Sequence, residues 1–90
     1  MTKQQLIERM ATDADISKEQ AKVALNSFMN AVQDSLKADE RLSLVGFGTF
    51  SRGFRKQRIG LNPKTKEPLT IPAKYVARFK PSKKLEDTLN

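Results

Sequence analysis

Nine cations stand between residues 52 and 80: Arg52, Arg55, Lys56, Arg58, Lys64, Lys66, Lys74, Arg78 and Lys80, against the single anion Glu67. The chemistry open to such a run is the binding of a polyanion. A face that merely keeps a domain in solution carries both signs interspersed, and this one does not. The rest of the charge is arranged differently. Residues 1–40 hold five cations and seven anions, and residues 41–90 hold twelve cations and three anions. The net +7 of the 90-residue chain is therefore an acidic half followed by a strongly basic one. The first half reads as a scaffold and the second as the part that meets a partner.

Other chemistries are poorly provided for. The chain has no His, Cys or Trp, which excludes disulfides, thiolate or imidazole metal sites, and triads built on His or Cys. The adjacent acids Asp13/Asp15, Asp39/Glu40 and Glu86/Asp87 are candidates for a general acid and base. They fall at predicted helix ends, where acids are ordinary, and no nucleophile or metal-ligand set accompanies them. No cofactor, metal or catalytic residue is expected. No apolar run approaches the roughly 18 residues of a membrane span. The start, Met1-Thr2-Lys3-Gln4-Gln5, lacks the apolar stretch of a secretory signal, so a cytoplasmic location without membrane association is expected.

The basic segment has three further features. Arg52, Arg55, Lys56 and Arg58 would line an outgoing strand, and Lys64, Lys66, Lys74, Arg78 and Lys80 the tip and the return. Cations along an extended ribbon suit the charge spacing of a nucleic-acid backbone. Between the two runs, Pro63 is a rigid apolar group without an N–H, beside Leu61. Most such prolines simply make a turn, but at the tip of a basic ribbon Pro63 could also wedge into a base step from the minor groove. Base-reading groups are scarce: Asn62 is the main candidate, with Gln57 behind it. Recognition of shape fits better than direct readout.

The elements that must position these residues follow from spacing. Thr2 with Gln5, and Ser17 with Gln20, read as capping boxes that start two helices. Leu6, Ile7, Met10, Ala11 and Ala14 make the stripe of the first helix, and Asp13–Asp15 suggests a turn. Ala21, Ala24, Leu25, Phe28, Met29, Val32 and Leu36 make the stripe of a long second helix ending near Lys37. Residues 42–45 favour a strand, and Gly46-Phe47-Gly48 a tight turn. Residues 49–59 and 68–79 read as two extended segments joined by turn chemistry at 60–66, with Pro72 interrupting the return. Pro81-Ser82 opens a short third helix through Leu85 and Leu89. The expected architecture is α+β in a single domain, residues 1–90. Its helical part is 1–40, the sheet with a protruding hairpin arm is 41–80, and the closing helix is 81–90.

This arrangement predicts a partner subunit. The arm has too few large apolar residues to cover both its faces, and an isolated two-stranded ribbon is marginal in water. The remaining body is small, yet it offers Phe28, Met29, Phe47, Phe50 and Phe79, more aromatic surface than two short helices can cover. A symmetric dimer would bury that surface between chains; the alternative is a monomer with a modest core. With Leu36 and Leu44 added, these residues are the expected dimer core.

The run Gly46-Phe47, Phe50, Arg55, Arg58, Gly60, Asn62-Pro63 and Thr65 resembles the signature of the bacterial histone-like HU and integration host factor family. The likeness spans the whole chain, from the helix starts at Thr2 and Ser17 to Phe79-Lys80-Pro81 followed by Lys83, Lys84 and Leu85. The resemblance implies an intertwined homodimer or heterodimer whose two arms embrace and bend DNA at the nucleoid. It implies that Pro63 intercalates, that Arg55, Arg58 and Asn62 lie in or beside the minor groove, and that Lys3, Lys83 and Lys84 extend the phosphate contacts. The wedge mechanism is that family's own and is carried over to these residues. Preference for bent, nicked or gapped duplex is the corollary, because such DNA costs less to deform.

Three residues depart from the family pattern. Leu61 stands where a cation is usual, Lys66 replaces a common Gly in the tip turn, and Ser82 replaces a Gly before the last helix. Two rival functions remain within nucleic-acid binding. Tyr75-Val76 and Phe79-Lys80-Pro81 lean towards a sequence-specific bender like integration host factor, whereas the length leans towards HU. An RNA-binding module would need exposed stacking aromatics, and here the phenylalanines fall at core-like positions.

Overall fold

The computed structural model describes residues 1–90. Two helices open the chain, α1 (Lys3–Ala14) and α2 (Lys18–Lys37). Thr2 Oγ1 accepts the Gln5 amide at 3.2 Å while Gln5 Oε1 accepts the Thr2 amide at 2.9 Å. Ser17 and Gln20 exchange the same pair of bonds at 3.0 Å each. Both capping boxes are thus formed as their sequences require. The acidic stretch after α1 is not all turn: the helix runs to Ala14, and only Asp15 adopts the left-handed conformation (φ 54°).

The chain divides into two compact units, Met1–Asp34 and Ser35–Asn90. The first has a small core of Ile7, Ala11, Ala21 and Leu25, with Met10 and Met29 packed against it. These are the inward positions of the two helical stripes. Ala21 leaves no exposed surface, so the helices approach closely at a residue with no side chain beyond Cβ.

The second unit is a sheet with a ribbon. Strands β1 (Leu42–Leu44), β2 (Gly48–Arg55) and β5 (Lys74–Pro81) form a three-stranded antiparallel sheet in the order β1-β2-β5. Strands β3 (Arg58–Leu61) and β4 (Pro68–Ile71) form a separate two-stranded ribbon. The tight turn lies one residue earlier than expected, at Val45–Phe47, closed by a Phe47 amide to Leu44 carbonyl bond of 2.9 Å. Gly46 takes φ +80° there, a conformation that favours glycine. Gly48 is instead the first residue of β2, where a Cβ would run into the Phe79 ring. Pro81 also differs from expectation: it pairs with Gly48 as the last residue of β5, and Ser82 caps the short helix α3 (Lys83–Asp87). That helix ends before Leu89.

The outgoing and returning strands are each broken once. Lys56-Gln57 separates β2 from β3, and Pro72-Ala73 separates β4 from β5. Arg55 pairs with Lys74 and Arg58 with Ile71, so the register is kept through the gap. Pro72 has no N–H to give to the ladder, which accounts for the break on the return strand.

Candidate nucleic-acid interface

Directly paired residues of antiparallel strands share a face, and the register makes this sheet two-sided. One face carries Leu42, Leu44, Phe50, Phe54, Tyr75, Ala77 and Phe79. The Phe79 ring lies 5.4 Å from Phe47 and 4.8 Å from Phe50, centroid to centroid, and Phe54 lies 5.4 Å from Tyr75. The other face carries Ser43, Thr49, Ser51, Gly53 and Arg55 beside Lys74, Val76, Arg78 and Lys80. It is polar and cationic almost throughout. Ser43 Oγ and Thr49 Oγ1 share a hydrogen bond of 3.2 Å across it.

This polar face lacks counter-charges. Of the cations between Arg41 and Lys84, only Arg52 has an ion-pair partner. Arg55 faces Lys74 directly, and like charges placed opposite each other destabilise a sheet. The Nε of Arg55 is buried and has no hydrogen-bond partner within the chain. Arg78 folds its side chain over Gly53, where a Cβ would collide with the guanidinium. Near the sheet's base, Arg41, Ser43, Thr49, Ser51, Lys80 and Lys83 line an open hollow of about 620 Å³. Hydroxyls and cations around one hollow can hold phosphate oxygens.

Arg52 differs from the other eight cations of its run. It lies on the aromatic face, with its guanidinium 4.1 Å above the Tyr75 ring. Its Nε is 3.7 Å from Asp39 Oδ1, and its Nη1 donates to the Lys37 carbonyl at 3.3 Å. Those partners hold it at the end of α2, away from the polar face. Lys56 lies in the break of the ribbon, and Lys64 and Lys66 lie at the tip, all exposed. Lys83 and Lys84 belong to α3, where the stem of Lys84 lies over Gly46. Lys3 is exposed at the start of α1, in the other compact unit.

The tip is ordered by its own bonds. The Asn62 amide donates to the Glu67 carbonyl at 2.9 Å, and the Lys66 amide donates to the Asn62 carbonyl at 2.7 Å. Asn62 Oδ1 accepts the Lys64 amide at 2.9 Å. That bond occupies the side-chain acceptor and leaves Nδ2 as a donor, the right polarity for the acceptor-rich minor groove. Pro63 is exposed at the apex. Lys66 does take positive φ, +59°, so the Lys that replaces a common Gly carries a strain of about 1 kcal/mol.

The residues expected at a dimer core fall in both units. Phe28 and Met29 are in the first; Leu36, Leu44, Phe47, Phe50 and Phe79 are in the second. Within one chain Phe28 is 38% exposed, Phe47 45% and Phe79 41%. Several residues of the polar face were not legible as such. Arg41 counts in the basic half but lies outside the dense run, and Ser43, Thr49, Ser51 and Gly53 look ordinary one by one. Stepping back by twos from Arg55 would have gathered Gly53, Ser51 and Thr49.

The family described as bacterial DNA-binding protein matches residues 1–90. The DNA-binding protein HU-beta of Neisseria meningitidis is 51% identical over 89 residues, covering 99% of this chain and all of the relative. Integration host factor subunit beta of Saccharophagus degradans is 43% identical over 91 residues, covering 100% of this chain and 93% of the relative. Among solved structures, the Anabaena HU–DNA cocrystal structure matches with a TM-score of 0.92 at 34% identity, covering 99% of this chain and 97% of that one.

Proposed function

The chain belongs to the bacterial DNA-binding protein family, and from that premise we propose that it is a non-enzymatic architectural protein that binds and bends double-stranded DNA at the nucleoid, largely independently of sequence. The observation that carries this reading is the cationic, hydroxyl-bearing sheet face, whose strand pairing continues in register into a ribbon tipped by Asn62-Pro63. A duplex phosphate backbone supplies the acceptors and negative charge that this face lacks. Arg55, Lys74, Arg78 and Lys80 would hold the backbone beside the sheet, with Arg41 and Lys83 at the hollow. Lys56, Arg58, Lys64 and Lys66 would follow the groove, and Lys3 and Lys84 would add flanking contacts. Pro63 would enter a base step and unstack it, and Asn62 Nδ2 would donate to the groove floor.

The working unit is a dimer of this chain, or of this chain with a related subunit. No large side chain is fully buried within one chain. The half-exposed Phe28, Phe47 and Phe79 supply apolar surface for a second protomer to cover. No helix is long and apolar enough to cross a membrane, and the protein would act on the chromosome in the cytoplasm.

Gel-shift titrations with linear, nicked and four-way duplexes at several ionic strengths test the reading. Tighter binding to the distorted substrates is expected, because the deformation is already made. Equal affinities at matched salt would overturn the wedge. The identity with an integration host factor subunit favours a second reading, a sequence-specific bender. Retention of one labelled site against excess random DNA would decide for it.

A further inference from the structure

The distal ribbon is poor in charge. Arg58 is its only strand cation, and β4 has none. Its surface is aliphatic instead: Ile59 is 75% exposed, Leu61 68% and Leu69 49%. A bare two-stranded ribbon that shows aliphatic side chains is a hazard for edge association, one usually blunted by charge. Ile59 and Leu61 lie two residues apart on β3 and therefore share a face, paired with Thr70 and Pro68. The register kept through the break places them in the same alternating series as Thr49, Ser51, Gly53 and Arg55. The aliphatic pair thus follows the cationic face in the order of the chain, beyond the break.

Resting on the DNA-bending reading above, we infer that Ile59 and Leu61 form an apolar rail that docks against the sugar edges of the duplex minor groove. Its spacing suits them. Alternate residues of a strand are about 6.6 Å apart, close to two steps of about 3.4 Å along one DNA strand. Charge brackets the rail, with Lys56 and Lys74 at its root and Lys64 and Lys66 beyond its end, so phosphates on either side can hold the groove over it. Leu61 adds contact where a cation would add charge. Ile59 and Leu61 then contribute affinity by apolar burial, while Arg58 and the cations of the tip, root and sheet set the salt dependence.

Fluorescence anisotropy with a nicked duplex, at three salt concentrations, tests this. The double variant Ile59→Thr/Leu61→Gln should raise Kd about tenfold at every salt, with the slope of log K against log salt unchanged. Leu61→Lys should steepen that slope by about 0.9 for each arm. An unchanged Kd for the double variant, or a slope that moves with it, would overturn the rail. Sedimentation without DNA should give the same oligomeric state as the parent; loss of the dimer would assign the strip to subunit contact instead. Failure of the parent protein to retain any duplex would end the DNA reading itself, and the rail with it. Failure of the rail alone leaves the parent's binding intact.

Discussion

Pro63 and Lys66 set opposite demands on the same turn. Pro63 is exposed at the apex, where its fixed ring can enter a base step. Lys66 is held at positive φ by the bonds that close the loop. Pro63→Ala should keep most of the charge-driven affinity but reduce the bend, and a circularisation assay would detect the loss as slower closure of short duplexes. Lys66→Gly should relieve about 1 kcal/mol of strain and slow hydrogen exchange of the Asn62 and Lys66 amides. Gly53 is a further residue-scale constraint. Gly53→Ala should displace the Arg78 guanidinium that lies over it and weaken DNA binding without unfolding the sheet, which thermal melts and gel shifts together would show.

At the scale of elements, the decisive feature is the paired break at Lys56-Gln57 and Pro72-Ala73. The distal ribbon meets the sheet only through these links, and it has no third strand to cover it. Its amides should therefore exchange faster than those of β2 and β5 in the absence of DNA. Arg52 anchors β2 shortly before the break. It bridges Asp39 and the Lys37 carbonyl to the Tyr75 ring, so Arg52→Ala should cost about 1–2 kcal/mol of stability with little change in the salt slope. Arg58→Ala should flatten that slope, since Arg58 is the one cation within the distal strands. An unaltered slope would take Arg58 off the phosphates.

For the whole molecule, the number of neutralised phosphates and the number of chains are linked. If each protomer neutralises about four phosphates, a dimer neutralises about eight, and log K should fall against log salt with a slope near −7. Bending a site of 20–30 base pairs costs on the order of 1–6 kcal/mol, which the second arm's contacts help offset. If Phe47 is buried between chains, Phe47→Ala should cost roughly 3–5 kcal/mol and make the melting temperature fall on dilution. A variant of normal stability and normal sedimentation would place the ring outside the interface.

The capping boxes, the two helical stripes, the two-stranded arm and its Asn62-Pro63 tip were all legible in the chain. Each depends on neighbours a few residues apart, where backbone chemistry and period decide. The excess of cations after residue 41 likewise marked which half meets a polyanion. Tertiary pairing decided what each cation does. Register placed Arg55, Lys74, Arg78 and Lys80 on one face and put Arg52 on the other, over the Tyr75 ring and beside Asp39. Strand pairing also brought Ser43 and Thr49 together and set Ile59 and Leu61 on one face of the ribbon. Alternation along one strand is local, but which residues meet across the sheet depends on a partner strand as far away as Lys80 is from Thr49, and no local spacing encodes that pairing.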